Sequence, residues 1–239
     1  MMLTCRPKFI TSIWCEIYYA AIHFFLPHFC LTCSTTEIEH KEIICDCCWS
    51  KLLKAPSNDI IMDELNNKLS GECCFSGAFS LWKFSPETQT IIHYLKYRAF
   101  GNLAGKIGKE MANKLLEHRL ISPSTLLIPI PLHKTRIRER GYNQSSLLCK
   151  AITQETDIPF EENVLVRVRY TTSQTKLDVK KRWQNVENAF SVLKPEKILD
   201  KTIILVDDVI TTGATMNACA GELLKNAAKN VYIISAAKA

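Results

Sequence analysis

An α/β fold with a mostly parallel sheet is what this 239-residue sequence predicts, and three observations predict it. A run of apolar, mostly β-branched residues, Ile203 to Val206, reads as a buried strand and leads into two carboxylates and a turn. Stretches that alternate like strands, Ala78 to Phe84 and Leu126 to Ile130, are separated by stretches of helical period. A last strand, Val231 to Ala236, follows another helical run. Strands that alternate with helices build βαβ units and hence a parallel sheet.

Each element has a local reason. Ser85 is placed to cap a helix that opens at Pro86, with Thr88 three residues on and Ile91, Ile92 and Leu95 on its buried face. Apolar residues at 103, 107, 111 and 115 mark an amphipathic helix over Leu103 to Leu116. Residues 143 to 153 form a further helix, and Ala218, Leu223, Leu224 and Ala227 carry the helical run after the 203 strand. Residues 54 to 71 are polar and hold Pro56, Asn58, Asn66, Asn67 and Gly71, which reads as a linker with a short helix near Ile60 to Leu69. The chain therefore divides into 1–53, a linker over 54–77, and a main domain over 78–239.

With 47% hydrophobic and 23% charged residues, the composition is that of a soluble globular protein. A net charge of +6 suits an anionic ligand and permits nucleic acid. Near the N-terminus, Ser12, Glu16, Tyr19 and His23 form a polar stripe opposite Ile13, Ile17, Ala20, Ala21 and Phe24. That describes an amphipathic packing helix, since neither a signal peptide core nor a spanning helix carries Glu16 within such a stripe. A cytoplasmic location without a transmembrane segment follows as the expectation.

Seven of the eleven cysteines lie between Cys30 and Cys74. Cys30-Leu31-Thr32-Cys33, eleven residues, then Cys45-Asp46-Cys47-Cys48 has the spacing of two zinc knuckles. Cys30, Cys33, Cys45 and Cys48 are the natural four ligands of a structural Zn²⁺, with Cys47 spare. A segment this short needs a metal or a partner to fold. Cys73 and Cys74 read as structural, and Cys149 and Cys219 as small buried hydrophobes.

After the 203 strand come Asp207 and Asp208, then Thr211-Thr212-Gly213-Ala214-Thr215. Open α/β sheets bind ligands at the carboxyl ends of their strands. The turn can aim N–H groups and hydroxyls at a phosphate, with the positive end of a helix behind it. The carboxylates can accept hydrogen bonds from sugar hydroxyls or lie near a metal. At another strand's carboxyl end, Lys134, Arg136, Arg138 and Arg140 precede Gly141-Tyr142-Asn143-Gln144. Arginine forks match phosphate oxygens, so this segment is placed to receive pyrophosphate. The polar, basic stretch 167 to 190 fits either a mobile lid or an exposed loop.

The run 203–215 resembles the phosphoribosyl pyrophosphate (PRPP) motif of type I phosphoribosyltransferases. By that resemblance Asp207 and Asp208 would hold the ribose hydroxyls and Thr211 to Thr215 the 5-phosphate. Taken with the knuckles, Trp49, Ile92-His93-Tyr94-Leu95-Lys96-Tyr97, Pro129 to Pro131, Arg138 to Gln144, Thr171, Gln174, Arg182 and Asn185, the chain resembles the competence protein F (ComF) family over residues 24 to 237. It looks like the short form with one zinc site; Lys181 departs from the acidic residue common before Arg182. The resemblance implies a type I phosphoribosyltransferase-like fold with a small zinc-binding subdomain. It also implies PRPP with Mg²⁺, departure of pyrophosphate as C1 gains oxocarbenium character, and a link to DNA uptake. Two functions stay open: phosphoribosyl transfer, and a binding module for single-stranded DNA that works beside a competence helicase with a regulatory PRPP site. Arg182 with Trp183 could stack on bases, whereas Trp82 and Tyr97 read as packing residues.

Overall fold

The computed structural model of the protein describes residues 29–36, 38, 42–69, 73–97, 101–169 and 189–239. The expected helix over Ile10 to Leu26, and Thr171, Gln174, Lys181, Arg182, Trp183 and Asn185, lie outside the described residues. The chain divides into two units, Met1–Lys51 and Leu52–Ala239. Among the described residues no helix is long and apolar enough to cross a membrane.

In the smaller unit the described residues form turns and one short helix, α1 (Asp46–Ser50). Ser34 takes a left-handed φ of 60°, which closes the first cysteine turn, and its N–H donates to the Cys30 carbonyl at 2.8 Å.

The larger unit begins with α2 (Asn58–Leu69), β1 (Gly77–Lys83), α3 (Pro86–Tyr97) and α4 (Gly101–Glu117). It continues through β2 (Thr125–Pro129), α5 (Lys134–Arg140), α6 (Gln144–Thr156), β3 (Leu165–Arg167) and β4 (Phe190–Val192). It ends with β5 (Thr202–Ile210), α7 (Ala214–Lys225) and β6 (Asn230–Lys238). Four strands form one parallel sheet in the order β1-β6-β5-β2, while β3 and β4 pair antiparallel apart from it.

Both faces of the sheet are covered, as buried runs in a parallel sheet require. On one face Leu126, Ile128, Ile203, Leu205, Val231 and Ile233 pack with Ile61, Leu65 and Leu69 of α2 and with Met216, Cys219, Ala220 and Leu223 of α7. On the other, α4 and α6 pack against each other and against the strands. Their approach is close: a Cβ on Gly108 would meet the Ala151 Cβ at 2.3 Å.

Most sequence-derived elements lie where the pattern puts them. Leu103, Ile107, Met111 and Leu115 are all buried along α4. The Ser85 cap is reciprocal: the Ser85 N–H donates to Thr88 Oγ1 at 2.6 Å, and the Thr88 N–H to Ser85 Oγ at 3.3 Å. Cys149 and Cys219 are buried, as is Trp82.

Three readings need correction. The 54–77 segment is more than a linker, because its helix α2 supplies three residues to the core and the Asn58 side chain accepts from the Ala78 N–H at 2.9 Å. Tyr97 does not pack inside; its ring stands 55% exposed. The strand that carries the aspartates does not stop before them, since β5 runs to Ile210 and pairs Asp207 with Ser235 of β6.

Candidate functional site

The aspartates are nevertheless open to one side, for a reason of strand length. β2 pairs with β5 only as far as Pro129 opposite Val206. Beyond that point the edge of β5 faces the segment between β2 and α6 instead of a strand. There Pro131 and His133 lead into α5, with His133 Nδ1 accepting from the Thr135 N–H at 3.3 Å. Gly141, at a φ of 81°, closes α5 by donating to the Ile137 carbonyl at 2.7 Å. Asn143 then caps α6 and also donates to the Ile130 carbonyl at 3.1 Å, which ties the turn to the end of β2.

This arrangement brings α6 onto the first carboxylate. Ser145, fully buried, donates its hydroxyl to Asp207 Oδ1 at 3.0 Å, and the Asp208 N–H donates to the same oxygen at 2.8 Å. Burial, and next the Asp208 charge beside it, push the Asp207 pKa up to about 7 against those donors and Lys96. Asp208 is buried, and its Oδ2 lies 2.9 Å from the Lys96 ammonium. That contact is a charge-assisted pair, and it is what offsets the burial of the Asp208 carboxylate.

The threonine turn follows directly. Gly213 adopts a left-handed φ of 76° at the head of α7 and brings no side chain to cap it. Only the Ala214 N–H meets a local acceptor, Thr212 Oγ1, at a long 3.5 Å. Thr211 is exposed, Thr212 and Thr215 half-buried, and Gly213 and Ala214 buried. The helix start thus presents N–H groups and hydroxyls together, the usual composition of a phosphate cradle. A Cβ on Gly213 would meet Leu65 Cδ2 at 2.9 Å, so α2 packs beneath the turn. From the same helix Lys68 donates to the Thr211 carbonyl at 3.5 Å, and burial followed by the nearby Lys238 ammonium lowers its pKa.

Of the two arginines singled out from sequence, Arg140 is half-buried at the end of α5 and Arg138 is exposed on the same helix. Arg140 donates to Gln144 Oε1 at 3.0 Å and lies 5.3 Å from the centre of the Tyr97 ring, while its Nε is buried without a partner. Tyr142 fixes the end of α3 by donating to the Leu95 carbonyl at 2.7 Å. Lys96 and Ser145 are the contacts that sequence reasoning missed. The signal for Lys96 was its place within the 92–97 segment, and for Ser145 its position two residues after Asn143.

In the smaller unit the four predicted thiols converge. The sulfurs of Cys30, Cys33, Cys45 and Cys48 all lie within 4.8 Å of one another, with Cys33 and Cys45 at 3.7 Å. Tetrahedral Zn–S bonds of about 2.3 Å set neighbouring sulfurs about 3.8 Å apart, so the cluster fits one zinc ion. Backbone N–H groups of Thr32 and Cys45 point at the Cys30 sulfur at 3.5 and 3.4 Å, and that of Cys48 at Cys45 at 3.4 Å. Burial opposes a thiolate at Cys30, but these and the Cys33 N–H outweigh it and bring its pKa down to about 6. Burial and the surrounding thiols push Cys48 the other way. Cys47 is exposed and outside the four.

Comparisons with known proteins agree with this geometry. The phosphoribosyl transferase domain family matches residues 143–238, which begin at the α6 cap and take in both aspartates and the threonine turn. The chain is 38% identical over 123 residues to Competence protein F of Haemophilus influenzae, 51% of this chain and 53% of that one. It is 30% identical over 157 residues to DNA utilization protein YhgH of Salmonella typhi, 64% of this chain and 68% of the relative.

The chain belongs to the ComF family.

Competence protein ComFC of Bacillus subtilis is a further relative, 34% identical over 100 residues, 42% of this chain and 38% of that protein. The chain thus spans about half the length of the first of these relatives. Among solved structures, a glutamine phosphoribosylpyrophosphate amidotransferase from B. subtilis aligns with a TM-score of 0.38 at 19% identity, over 56% of this chain and 26% of that one. The ComF assignment, the parallel sheet and the four-cysteine cluster together make this a type I phosphoribosyltransferase-like fold with a small unit whose four cysteines could hold a metal.

Proposed function

We propose that this ComF-family protein binds PRPP along the carboxyl end of β5 and transfers or senses its phosphoribosyl group in DNA uptake. One observation carries the reading. A buried carboxylate held by a partly exposed lysine, Asp208 with Lys96, precedes a helix N-terminus without a side-chain cap by only a few residues. A ribose 5-phosphate needs that pair: acceptors for its hydroxyls and donors for its phosphate.

Asp207 and Asp208 accept from the ribose hydroxyls, while the N–H groups and hydroxyls of Thr211, Thr212, Gly213, Ala214 and Thr215 hold the 5-phosphate. Arg138 and Arg140 receive the pyrophosphate, and the unpartnered Nε of Arg140 supports that role. As pyrophosphate leaves, the carboxylate pair stabilises positive charge at C1, all the more strongly where Asp208 is shielded from water. Mg²⁺ bound with the ligand would neutralise charge on the departing pyrophosphate. Zn²⁺ on Cys30, Cys33, Cys45 and Cys48 is structural, because four thiolates leave no open position.

The family members' names point to competence and DNA utilization. A second reading, a module for single-stranded DNA, is favoured by the exposed Tyr97 ring with the Arg140 guanidinium beside it. Such a pair offers a stacking face for a base.

The test is calorimetric titration of PRPP with Mg²⁺ into the full chain and into Asp207→Ala/Asp208→Ala. The reading expects micromolar binding that the double variant loses by about a hundredfold or more. A folded wild-type protein that takes up no PRPP contradicts it. Pyrophosphate release on addition of acceptors separates transfer from sensing.

A further inference from the structure

Two adjacent carboxylates, Asp207 half-buried and Asp208 buried, are costly, and an anionic ligand would be repelled by them. The fold meets the first carboxylate with neutral donors, Ser145 Oγ and the Asp208 N–H. It meets the second with a charge, the Lys96 ammonium at 2.9 Å from Asp208 Oδ2. The two solutions differ in permanence. Ser145 is fully buried and fixed within the first turn of α6, whereas the Lys96 side chain is 26% exposed and leaves the last turn of α3 on a flexible four-carbon stem.

The ammonium is a point charge with rotatable donors, so it holds Asp208 Oδ2 without the fixed geometry that Ser145 gives Asp207. A ribose hydroxyl would bring a neutral donor able to take its place on Oδ2. Lys96 has somewhere to go: the next residue, Tyr97, carries Arg140 at 5.3 Å from its ring centre, and Arg140 is a cation proposed to receive the pyrophosphate. The backbone of this helix end is held, because Tyr142 donates to the Leu95 carbonyl at 2.7 Å. A side chain can therefore swing from a fixed base.

We infer that Lys96 is an exchangeable counter-ion: it neutralises Asp208 before the ligand arrives, yields that carboxylate to a ribose hydroxyl, and moves onto the pyrophosphate. The inference rests on the PRPP reading and deepens it. Lys96 is then a binding residue for the pyrophosphate and a placeholder for the sugar. It offers the two ends of one ligand opposite effects: help for the pyrophosphate, competition for the ribose.

That opposition is what the experiment reads. PRPP and ribose 5-phosphate, which lacks the pyrophosphate, are each titrated with Mg²⁺ into the wild type, Lys96→Met and Lys96→Arg. Lys96→Met is expected to weaken PRPP about tenfold or more, as loss of one charge-assisted contact does, while ribose 5-phosphate binds as well as before or more tightly. Lys96→Arg keeps the cation, and its planar fork grips the carboxylate with two bonds. It is expected to fold like the wild type and to bind ribose 5-phosphate several-fold more weakly. A static structural pair predicts otherwise: Lys96→Met would weaken both ligands alike, and Lys96→Arg would bind ribose 5-phosphate like the wild type. Either result overturns the exchange. Should the wild type bind neither ligand, the PRPP reading itself falls and the exchange with it. A wild type that binds both without the split sinks the exchange alone.

Discussion

The four-cysteine cluster and the Asp207–Asp208 pair both crowd groups that can carry negative charge, and the chain treats them in opposite ways. Around Cys30, three backbone N–H groups favour the anion and pull the thiol down to about 6 despite its burial. Around Asp207, burial and the neighbouring charge prevail and push the carboxyl up to about 7. Among the described residues the cysteines lie in turns and one five-residue helix. The aspartates lie on a central strand between two helical layers. A cation on four thiolates would tie the first site together. The second is held by the fold around it.

That contrast predicts its own largest effect. Removing the metal from the cysteine cluster should release the knuckles, since structural zinc contributes an apparent 10 kcal/mol or so in small domains. Hydrogen exchange at the amides of Thr32, Cys45 and Cys48 would then approach unfolded rates after chelation. Slow exchange there in metal-free protein would break the comparison.

The carboxylate pair predicts a smaller effect with a defined pH dependence. A folded-state pKa of about 7, against 3.8 as the ordinary value, means that the folded protein holds a proton which the unfolded chain gives up earlier. The destabilisation from Asp207 is absent below about pH 4, grows as pH rises, and is complete above about pH 7. Asp207→Asn keeps the acceptor for Ser145 and removes the charge. It should be more stable than wild type at pH 8 by on the order of 2–4 kcal/mol, with the gain vanishing near pH 4. Denaturant titrations at the two pH values measure it; a gain equal at both would show that the charge is not the cause.

Next in size is the turn between the two parts of the site. Gly213→Ala places a Cβ at 2.9 Å from Leu65 Cδ2 on a backbone with φ of 76°. A loss of about 2 kcal/mol is expected from strain and from the shift of α2. Phosphate-dependent stabilisation should fall with it, as a thermal melt with and without PRPP would report. The smallest effect concerns the N-terminal end of α3, about three turns away from Lys96. Ser85→Ala breaks the reciprocal cap and should cost about 1 kcal/mol without changing ligand affinity.

How much of this was legible in the sequence depended on whether the cause was local. The α4 stripe, the Ser85 cap and the cysteine spacing are each set within a few turns of chain, and each was readable. The core role of α2 was hidden because Asn58, Asp59, Asp63, Asn66 and Asn67 make the segment polar, although Ile61, Leu65 and Leu69 recur at helical spacing. The extension of β5 through two aspartates was unreadable, because only pairing with β6 makes those residues a strand. Tyr97 and Lys96 failed for the same reason. Their partners, Arg140 and Asp208, are remote in sequence, and no local pattern names a contact at that range. The aspartates and threonines were legible as candidate site residues, whereas the contacts that Lys96 and Ser145 make to the aspartates became visible only in three dimensions.

The central claim is that the carboxyl end of β5 is a sugar phosphate site, and hydrogen exchange mapped along the whole chain with and without PRPP and Mg²⁺ tests it most directly. The account predicts new protection at the amides of Thr211 to Met216, where the phosphate takes the free N–H groups, together with residues 140 to 145. Protection confined to other segments, or none at saturating ligand, would contradict it.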